Sequence, residues 1–355
     1  MKLTRIELED FRCFGKAELD LRAPGGEKPL SVALLVGPNG AGKSSVIAAI
    51  GGFFQTIGSA YLGRNWKADA LNIEDIRSGR NMARLRVDWI DRVQDSQEPF
   101  FHEVIIRRHL MTVDGKSIEA GVDPALLKFL GHHANWVSAM ADTARREAGL
   151  IVSFDVYRLL PPQAIAGPNV KEVVSHRIEG AMQPTVNREG RLNTRFEQLK
   201  QWIVNMDFQR AKAKADRNTD SPDWEIMRHA LDSMFNPYRF ERVDERFDVL
   251  FRTPTGLVPL EALSDGFRSM FVIVTELLFR LSLTTDDPGR ILGQEAVCVI
   301  DEIDAHLHPK WQERVLPALR TLFPNVQFIA TTHSPFVVST AAPHEVFRLE
   351  ETEEE

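Results

Sequence analysis

The segment GPNGAGKS, Gly37 to Ser44, constrains the fold of this chain more than any other feature. It fits the pattern GxxxxGK[ST] and lies between a short apolar run, Ser31 to Val36, and a helical stretch. Glycines let backbone N–H groups turn inward around phosphate oxygens, and the helix adds its positive N-terminal dipole. The pattern predicts a phosphate-binding strand–loop–helix unit, with Lys43 reaching the outer phosphates and Ser44 binding Mg²⁺. The residues expected to surround the phosphates are Gly37, Pro38, Asn39, Gly40, Ala41, Gly42, Lys43, Ser44 and Ser45.

Two further apolar runs end in polar residues. AVCVI runs directly into Asp301 and Glu302, and VQFIA runs into a segment that ends at His333. Runs of this kind are typical of strands that are buried on both faces of a parallel sheet. Because ligands bind outside the carboxyl ends of strands in open α/β sheets, the pattern places these three residues on one rim with Lys43.

Each polar residue at this rim has a chemical role in phosphoryl transfer. Asp301 is expected to hold Mg²⁺, directly or through water. Glu302 is expected to orient or deprotonate the attacking water. His333 is expected to hydrogen-bond the terminal phosphate and to link it to the catalytic acid. Lys43, Glu302 and His333 are therefore the candidate catalytic residues, and Ser44 and Asp301 are the candidate magnesium ligands.

A fourth motif, LSDGF, precedes a strongly apolar helix. Read alone it predicts only a helix start, with Ser264 as the N-cap and Gly266 leaving room for a phosphate beside the backbone. Asp304, two residues beyond the acidic pair, is a candidate for a subunit boundary. His306 and His308 have no Cys or acidic partner at metal-ligand spacing, so packing or capping roles are expected for them.

Composition limits the class of protein. The 355 residues are 43% hydrophobic and 26% charged, which is ordinary for a globular chain, and we expect one large domain with an insertion. No run approaches the about 20 apolar residues that a membrane span needs, and the first residues lack an apolar signal region. The two cysteines, Cys13 and Cys298, fit a reducing compartment. We therefore expect a cytoplasmic protein with no membrane association.

The middle of the chain, about 170–235, has the periodicity of helices, with apolar residues recurring at spacings of three and four. Within 171–217 there are ten Lys or Arg and six Asp or Glu, a local balance of +4 in a chain of net charge −7. This surplus leaves two interpretations open. It is either a solvated helical face or a weak signal for DNA binding near Arg210, Lys212 and Lys214.

The order of the motifs resembles that of a known family. A phosphate loop, a long insertion, LSDG, AVCVIDE and TTHSP follow one another as in the ABC-type ATPase heads of the SMC, RecF and OLD group. The opening LTRIELEDFRCFGKAELDL is similar to the N-terminal strand pair of that group. The stretch VIDEIDAHLHPKWQ…FPNVQFIATTHSP resembles the compact ATPases of bacterial anti-phage systems of the Septu and retron-linked kind. The resemblance covers about residues 1–50, 75–110 and 257–349.

The resemblance implies an α/β fold, a P-loop NTPase of the ABC-ATPase type. It implies a mixed β-sheet with flanking helices, an N-terminal antiparallel β part and a helical insertion between the phosphate loop and LSDGF. We expect residues 1–355 to form a single ATPase domain whose halves are about 1–120 and 236–355. Residues 121–235 are then a mostly helical insertion subdomain.

The same resemblance implies how the site is completed. In this family two heads sandwich two ATP molecules, and the phosphate loop of one subunit faces the signature motif of the other. Carried over to this chain, Ser264 and Gly266 act across the interface, Asp304 lies in the loop that crosses it, and Arg12 lies near the nucleotide. The expected ligands are ATP and Mg²⁺, and the expected assembly is a homodimer or a larger even-numbered homo-oligomer.

Two features depart from the family pattern. The signature is LSDGF rather than LSGGQ, so the charge of Asp265 must point away from phosphate. The usual glutamine of the Q-loop is not identifiable. Gln163 is a candidate by order only, and Gln94 and Gln97 are others.

Three functions are compatible with these motifs. The first is an ATPase that regulates a separate effector, a nuclease or toxin, in anti-phage defence. The second is a RecF-like or SMC-like DNA-repair ATPase that binds DNA directly, and the third is an ATP-dependent dimerisation switch with little hydrolysis, which an intact Glu302 disfavours. The interval of 227 residues from Gly37 to Ser264 disfavours a transporter subunit. The chain stops 22 residues after His333, where OLD nucleases continue into a TOPRIM domain, so DNA cutting is expected to need a partner.

Overall fold

The structure of the chain is a computed structural model. It describes residues 1–26, 28–62, 71, 73–90, 100–107, 110–113, 116–118, 150–156, 158, 167–168, 195–217, 221–285 and 287–350.

The described residues form strands and helices in alternating groups. In chain order the strands are β1 (Lys2–Phe11), β2 (Phe14–Asp20), β3 (Val32–Val36), β4 (Met82–Ile90), β5 (Phe100–Arg107), β6 (Leu110–Val113), β7 (Lys116–Ile118), β8 (Leu150–Phe154), β9 (Arg239–Val243), β10 (Val249–Thr253), β11 (Gly256–Pro259), β12 (Ala296–Ile300), β13 (Val326–Thr331) and β14 (Val346–Arg348). The α-helices are α1 (Lys43–Leu62), α2 (Arg195–Arg217), α3 (Pro222–Phe235), α4 (Asp265–Leu283), α5 (Pro309–Leu322) and α6 (Pro335–Val338). Short 3₁₀ turns lie at Ile73–Asp75, Leu260–Ala262, Pro288–Gly293 and Pro343–Glu345.

A five-stranded parallel sheet with the order β14-β3-β13-β12-β8 forms the centre of the fold. All residues of β12 and β13 are buried, as their apolar runs predicted. Alternate residues face opposite cores: Cys298 packs into one apolar cluster, and its neighbours Val297 and Val299 pack into the other. Because the strands are parallel, the segments that follow β3, β13 and β12 emerge at one edge, which confirms the predicted rim.

The two faces of this sheet are covered differently. Helices α2 to α5 and the small sheet β11-β10-β9 supply one core, in which the rings of Phe235, Phe251, Phe267 and Phe271 contact one another. Helix α1 and the antiparallel sheet β2-β1-β4-β5-β6-β7 supply the other. The predicted α/β fold is therefore confirmed, with the parallel and antiparallel strands in separate sheets.

Gln327 joins the parallel sheet to the antiparallel one. It lies in β13 between the apolar residues Val326 and Phe328, and its side chain is fully buried. Its side-chain Oε1 accepts from the backbone N–H of Leu3 at 2.7 Å, and Nε2 donates to the carbonyls of Leu3 at 2.9 Å and Leu30 at 3.0 Å. The amide therefore fixes the start of β1 and the approach to β3 against the central strand.

The remaining predictions for the fold have mixed outcomes. The predicted strand pair near the N-terminus is present as β1 and β2, paired antiparallel. The predicted helices of 170–235 are present where the structure describes that stretch, as α2 and α3. Residues 121–149 of the predicted insertion lie outside the described residues, and the division into halves and an insertion stays a prediction. No helix in the described part of the chain has both the length and the apolar character needed to cross a bilayer.

We predict that Gln327→Leu destabilises the fold strongly although it nearly conserves volume. The substitution removes all three hydrogen bonds to Leu3 and Leu30 inside a buried joint. Buried backbone groups left without partners cost about 1–3 kcal/mol each, so we expect a loss of about 2–4 kcal/mol in the free energy of unfolding. The shift in the urea midpoint measures it, and Gln294→Leu, at an exposed hydrogen bond, is the control. Equal midpoints for the two variants would contradict the role of the amide.

Candidate functional site

The phosphate loop packs against the turn of the N-terminal hairpin. Gly40 and Gly42 have φ values of 88° and 89°, a region that side chains disfavour. A Cβ on Gly42 would lie 2.4 Å from the ring of Phe14 and 2.7 Å from the Sγ of Cys13. Gly42 is therefore required twice, by its backbone conformation and by the close approach of the hairpin.

Lys43, the first residue of α1, turns back over the loop that precedes it. Its side chain is nearly buried, and Nζ donates to the carbonyl oxygens of Gly37 at 3.0 Å and Pro38 at 2.7 Å. The ammonium group is thus held beside the loop backbone at the N-terminus of α1. Its charge adds to the helix dipole there, which favours an anion.

The side chains of Ser44 and Asp301 lie in direct contact, as their predicted shared role requires. The Oγ of Ser44 donates to Asp301 Oδ1 at 3.2 Å. Two adjacent ligands of an octahedral Mg²⁺, each at about 2.0–2.1 Å, lie about 3 Å apart, and Mg²⁺ prefers hydroxyl and carboxylate oxygens of this kind. The residues therefore fit a magnesium ion.

Thr331 organises both acidic residues and was missed by the sequence analysis. Its Oγ1 donates to Asp301 Oδ1 at 2.6 Å and accepts from the backbone N–H of Glu302 at 2.6 Å. The Ile303 N–H donates to the Thr331 carbonyl at 3.0 Å. The end of β13 thus holds the chain directly after β12. The doubled threonine before His333 is the signal in the sequence that points to this residue.

Glu302 begins a tight turn at the end of β12. Its φ is +47°, a conformation that is uncommon for a residue with a side chain and has to be held by its surroundings. The side chain is only partly buried. A carboxylate in this position, one residue from Asp301, is able to accept a proton from a water molecule at this edge of the sheet.

Arg158 was also missed, because nothing in its neighbourhood forms a motif. It lies four residues beyond β8 and is 1% exposed. The guanidinium donates to the carbonyl oxygens of Asp155, Asp301 and Glu302 at 2.6–2.7 Å. Burial lowers the pKa of Arg158 to about 10, so the group stays charged at neutral pH.

His333 and Asp304 lie on neighbouring turns at the same edge. His333 is exposed directly after β13. Thr332, which precedes it, donates its hydroxyl to the carboxylate of Asp304, and the Ser334 N–H donates to the Thr332 hydroxyl at 3.0 Å. The side chain of Ser334 then caps α6. Asp304 is therefore connected to the segment that carries His333 within one chain.

The signature segment forms the predicted helix start. Ser264 is the N-cap of α4, and its Oγ accepts from the Phe267 N–H at 3.3 Å. A Cβ on Gly266 would lie 2.3 Å from the carbonyl oxygen of His306 in the same chain, which gives this glycine a reason besides the predicted approach of phosphate. Asp265 is 52% exposed at its side chain and forms an ion pair with Arg268. Its charge is thus partly neutralised one helical turn away.

The other predicted residues have structural surroundings. Arg12 donates through Nε to the buried Asp75 at 2.8 Å, on the hairpin turn that packs on the phosphate loop, and its role toward nucleotide stays a prediction. His308 caps α5, as expected. Among the described residues no group of three or more His, Cys, Asp or Glu could hold a metal. The three candidate glutamines of the Q-loop, Gln94, Gln97 and Gln163, lie outside the described residues.

The basic residues near the end of α2 are only partly available to a partner. Arg210 pairs with Asp207 at 2.8 Å, and its guanidinium lies 4.4 Å from the ring centroid of Trp224. Lys212 and Lys214 are exposed. One of the three charges is therefore already engaged within the chain, which weakens the expectation of direct DNA binding.

Comparison with known proteins agrees with this geometry. Residues 187–339 match the family model described as "AAA domain, putative AbiEii toxin, Type IV TA system", and residues 1–103 match the "AAA ATPase domain". The Septu protein PtuA of Bacillus thuringiensis is 38% identical over 117 residues, 32% of this chain and 30% of that protein. The Retron Ec83 probable ATPase of Escherichia coli is 38% identical over 87 residues, 24% of this chain and 16% of that protein.

Among solved structures, the Smc head bound to the C-terminal winged-helix domain of ScpA superposes with a TM-score of 0.50 and 16% identity. The superposition covers 96% of this chain and 92% of that one, and at this identity it concerns the fold alone. The chain is therefore similar to AAA-type ATPases and to the Septu and retron ATPases, and its fold is like that of the Smc head. The resemblance found in the motifs is thereby confirmed. The matched segments span less than a third of the length of these curated relatives.

We predict that Thr331→Val lowers both stability and ATP turnover more than the same substitution at Thr275 does. Valine has the shape of threonine but cannot donate to Asp301 or accept from the Glu302 N–H. We expect a loss of about 1–3 kcal/mol in the free energy of unfolding. A misplaced Glu302 should also lower phosphate release from ATP by about tenfold or more.

The control is Thr275→Val in α4. Thr275 is equally buried, but its hydroxyl donates only to carbonyls of the preceding helical turn, chiefly that of Phe271. Helix carbonyls already accept a backbone hydrogen bond, so we expect a small change in stability and none in turnover. Urea unfolding and phosphate release are measured on both variants, and equal effects would contradict a special role for Thr331.

Proposed function

We propose that the chain binds and hydrolyses ATP at a site that a second copy of the chain completes. The observation that carries this proposal is the cluster at one sheet edge, in which Ser44, Asp301 and Thr331 share one carboxylate oxygen beside Glu302. The cluster combines a phosphate loop, two side chains that fit Mg²⁺ and an acid, Glu302, beside them. A site that only binds nucleotide would not need Glu302.

The residues divide the work of phosphoryl transfer to water. The loop amides and Lys43 bind the β- and γ-phosphates. Ser44 and Asp301 would hold Mg²⁺, which would supply charge neutralisation at the phosphates. Glu302 orients the attacking water and accepts its proton. His333, exposed at the same edge, donates a hydrogen bond to the terminal phosphate.

The second copy supplies the N-terminus of α4. Ser264 caps this helix, and the first-turn N–H groups together with the helix dipole attract an anion. This segment then contacts the ATP of the opposite subunit, with Asp304 at the interface, and the family resemblance supports this arrangement. ATP therefore favours a closed head-to-tail pair, in a homodimer or a larger even-numbered assembly.

The closed pair regulates a separate effector, a nuclease or toxin, in anti-phage defence. Relatives named as Septu and retron proteins, and a family model described as belonging to a toxin–antitoxin system, support this part of the proposal. The protein acts in the cytoplasm, in keeping with its two cysteines being free. Direct binding of DNA is the alternative, and charge reversal at Lys212 and Lys214 tests it by the loss of salt-sensitive binding.

We predict that Glu302→Gln abolishes hydrolysis and traps the ATP-bound pair. The amide keeps the size of the side chain but cannot accept a proton, so ATP stays bound and keeps the two signature helices engaged. Mass in solution with Mg²⁺ and ATP, and phosphate release, are measured together. We expect an even-numbered assembly and a fall in turnover of about a hundredfold or more.

The control is Glu313→Gln, which changes an exposed acid on α5 to its amide. This variant should hydrolyse ATP as the wild type does. A Glu302→Gln protein that stays monomeric with ATP and still releases phosphate would overturn both the catalytic assignment and the shared site.

A further inference from the structure

Arg158 connects three segments of the chain that carry different parts of the site. Its Nη1 donates to the carbonyls of Asp155 at 2.7 Å and Asp301 at 2.6 Å, and Nη2 donates to the carbonyl of Glu302 at 2.6 Å. Its Nε donates to the hydroxyl of Ser269 in α4 at 2.8 Å. One side chain thus contacts the end of β8, the catalytic turn and the signature helix.

The arrangement uses a property that only arginine has. The guanidinium is planar and presents its N–H donors in a fixed fork, so the three carbonyls and the hydroxyl are held at set directions from one another. Lysine would supply a point charge without this geometry. The carbonyls of Asp301 and Glu302 belong to the peptide groups on either side of the positive-φ turn, so the fork holds the turn where its backbone is least favourable.

A buried cation of this kind has an energetic cost that its role must offset. Desolvation acts against the charged form, and the pKa of Arg158 is lowered by it. The nearby carboxylates of Asp155, Asp301, Asp304 and Glu302 act in the opposite direction. The cation is therefore surrounded by the acidic groups of the site while its hydrogen bonds go to their backbone and to α4.

The signature helix has a second contact with the same turn. Gly266 approaches the carbonyl of His306 so closely that no side chain fits between them. Ser269 lies one turn further along α4, where it accepts from Arg158. A displacement of the first turn of α4 would therefore act on residues 301–306 at two points.

We propose that Arg158 is a positioning residue that sets the place of Glu302 according to the position of the signature helix. The inference rests on the proposed ATP hydrolysis at a shared site. Ser264, at the start of α4, contacts the ATP bound by the opposite subunit, while Glu302 acts on the ATP bound by its own. The link through Ser269 and Arg158 thus makes each Glu302 respond to the nucleotide in the other site, and the two hydrolysis events become coupled.

The test separates nucleotide binding, pairing and turnover. Arg158→Met removes the fork, Arg158→Lys keeps a cation without it, and Ser269→Ala removes only the contact with α4. None of these substitutions touches the phosphate loop or Ser264, so we expect ATP affinity to stay within about twofold of the wild type and the mass of the ATP-dependent assembly to be unchanged. Turnover in the assembled protein should fall by about a hundredfold in Arg158→Met, as expected for a misplaced catalytic group. We expect turnover to fall by about tenfold in Ser269→Ala, and the fall in Arg158→Lys to lie between those of the other two variants.

Arg280→Met is the matched control. Arg280 is fully buried in α4 and pairs with Glu276 at 2.5 Å, so its loss should lower thermal stability while turnover of the folded protein stays at the wild-type level. Arg158 and Ser269 variants that turn over like Arg280→Met, after correction for the folded fraction, would overturn the positioning role. Failure of the proposed function itself is distinct: the wild type would then show no ATP-dependent mass and no phosphate release.

Discussion

The Oδ1 oxygen of Asp301 is the point on which the arrangement of the site depends. It accepts from Ser44, which belongs to the helix after the phosphate loop, and from Thr331, which ends a different strand. These residues meet because β3, β13 and β12 are adjacent and parallel. Three strands end at one edge, and the hydrogen bonds to the Asp301 carboxylate fix the distance between the phosphate loop and the acidic turn there. Any change in register between these strands would separate Asp301 from Ser44 and Thr331.

The turn that carries Glu302 has an unfavourable backbone conformation, and hydrogen bonds from two other segments stabilise it. The left-handed backbone of Glu302 is unfavourable on its own, and its N–H and carbonyl groups would lose water on burial. Thr331 satisfies the N–H from one side, and Arg158 satisfies the carbonyl from the other. The backbone is fixed while the carboxylate stays partly exposed, which is the combination that a residue acting on a water molecule requires. Strain at this residue is thus offset by the hydroxyl of Thr331 and the guanidinium of Arg158.

The sequence predicted the parts of this site that depend on local pattern. The apolar runs before Lys43, Asp301 and His333 identify strands because both faces of a central strand are buried. The polar residues that follow these runs are then enough to predict that the three segments meet at one edge of the sheet. Residues whose role depends on contacts with distant parts of the chain were not predicted. Arg158 and Asp301 are 143 positions apart, and Gln327 and Leu3 are 324 apart, so no window of sequence contains either pair. A lone arginine or glutamine becomes informative only when the topology brings its partners together.

The departure from the family signature can be explained by charge. An acidic residue at the start of α4 interacts favourably with the helix dipole, but it would repel an ATP that approaches the same helix end. Arg268 offsets this repulsion because it forms an ion pair with Asp265 one turn on, while the Asp265 side chain stays half exposed to solvent that screens it. Glycine at the next position keeps α4 against the carbonyl of His306. The proposed approach of phosphate to Ser264 and its amides is therefore compatible with an aspartate in the signature, because the ion pair partly neutralises Asp265 within the same turn and Gly266 keeps the helix against the turn that follows Asp301.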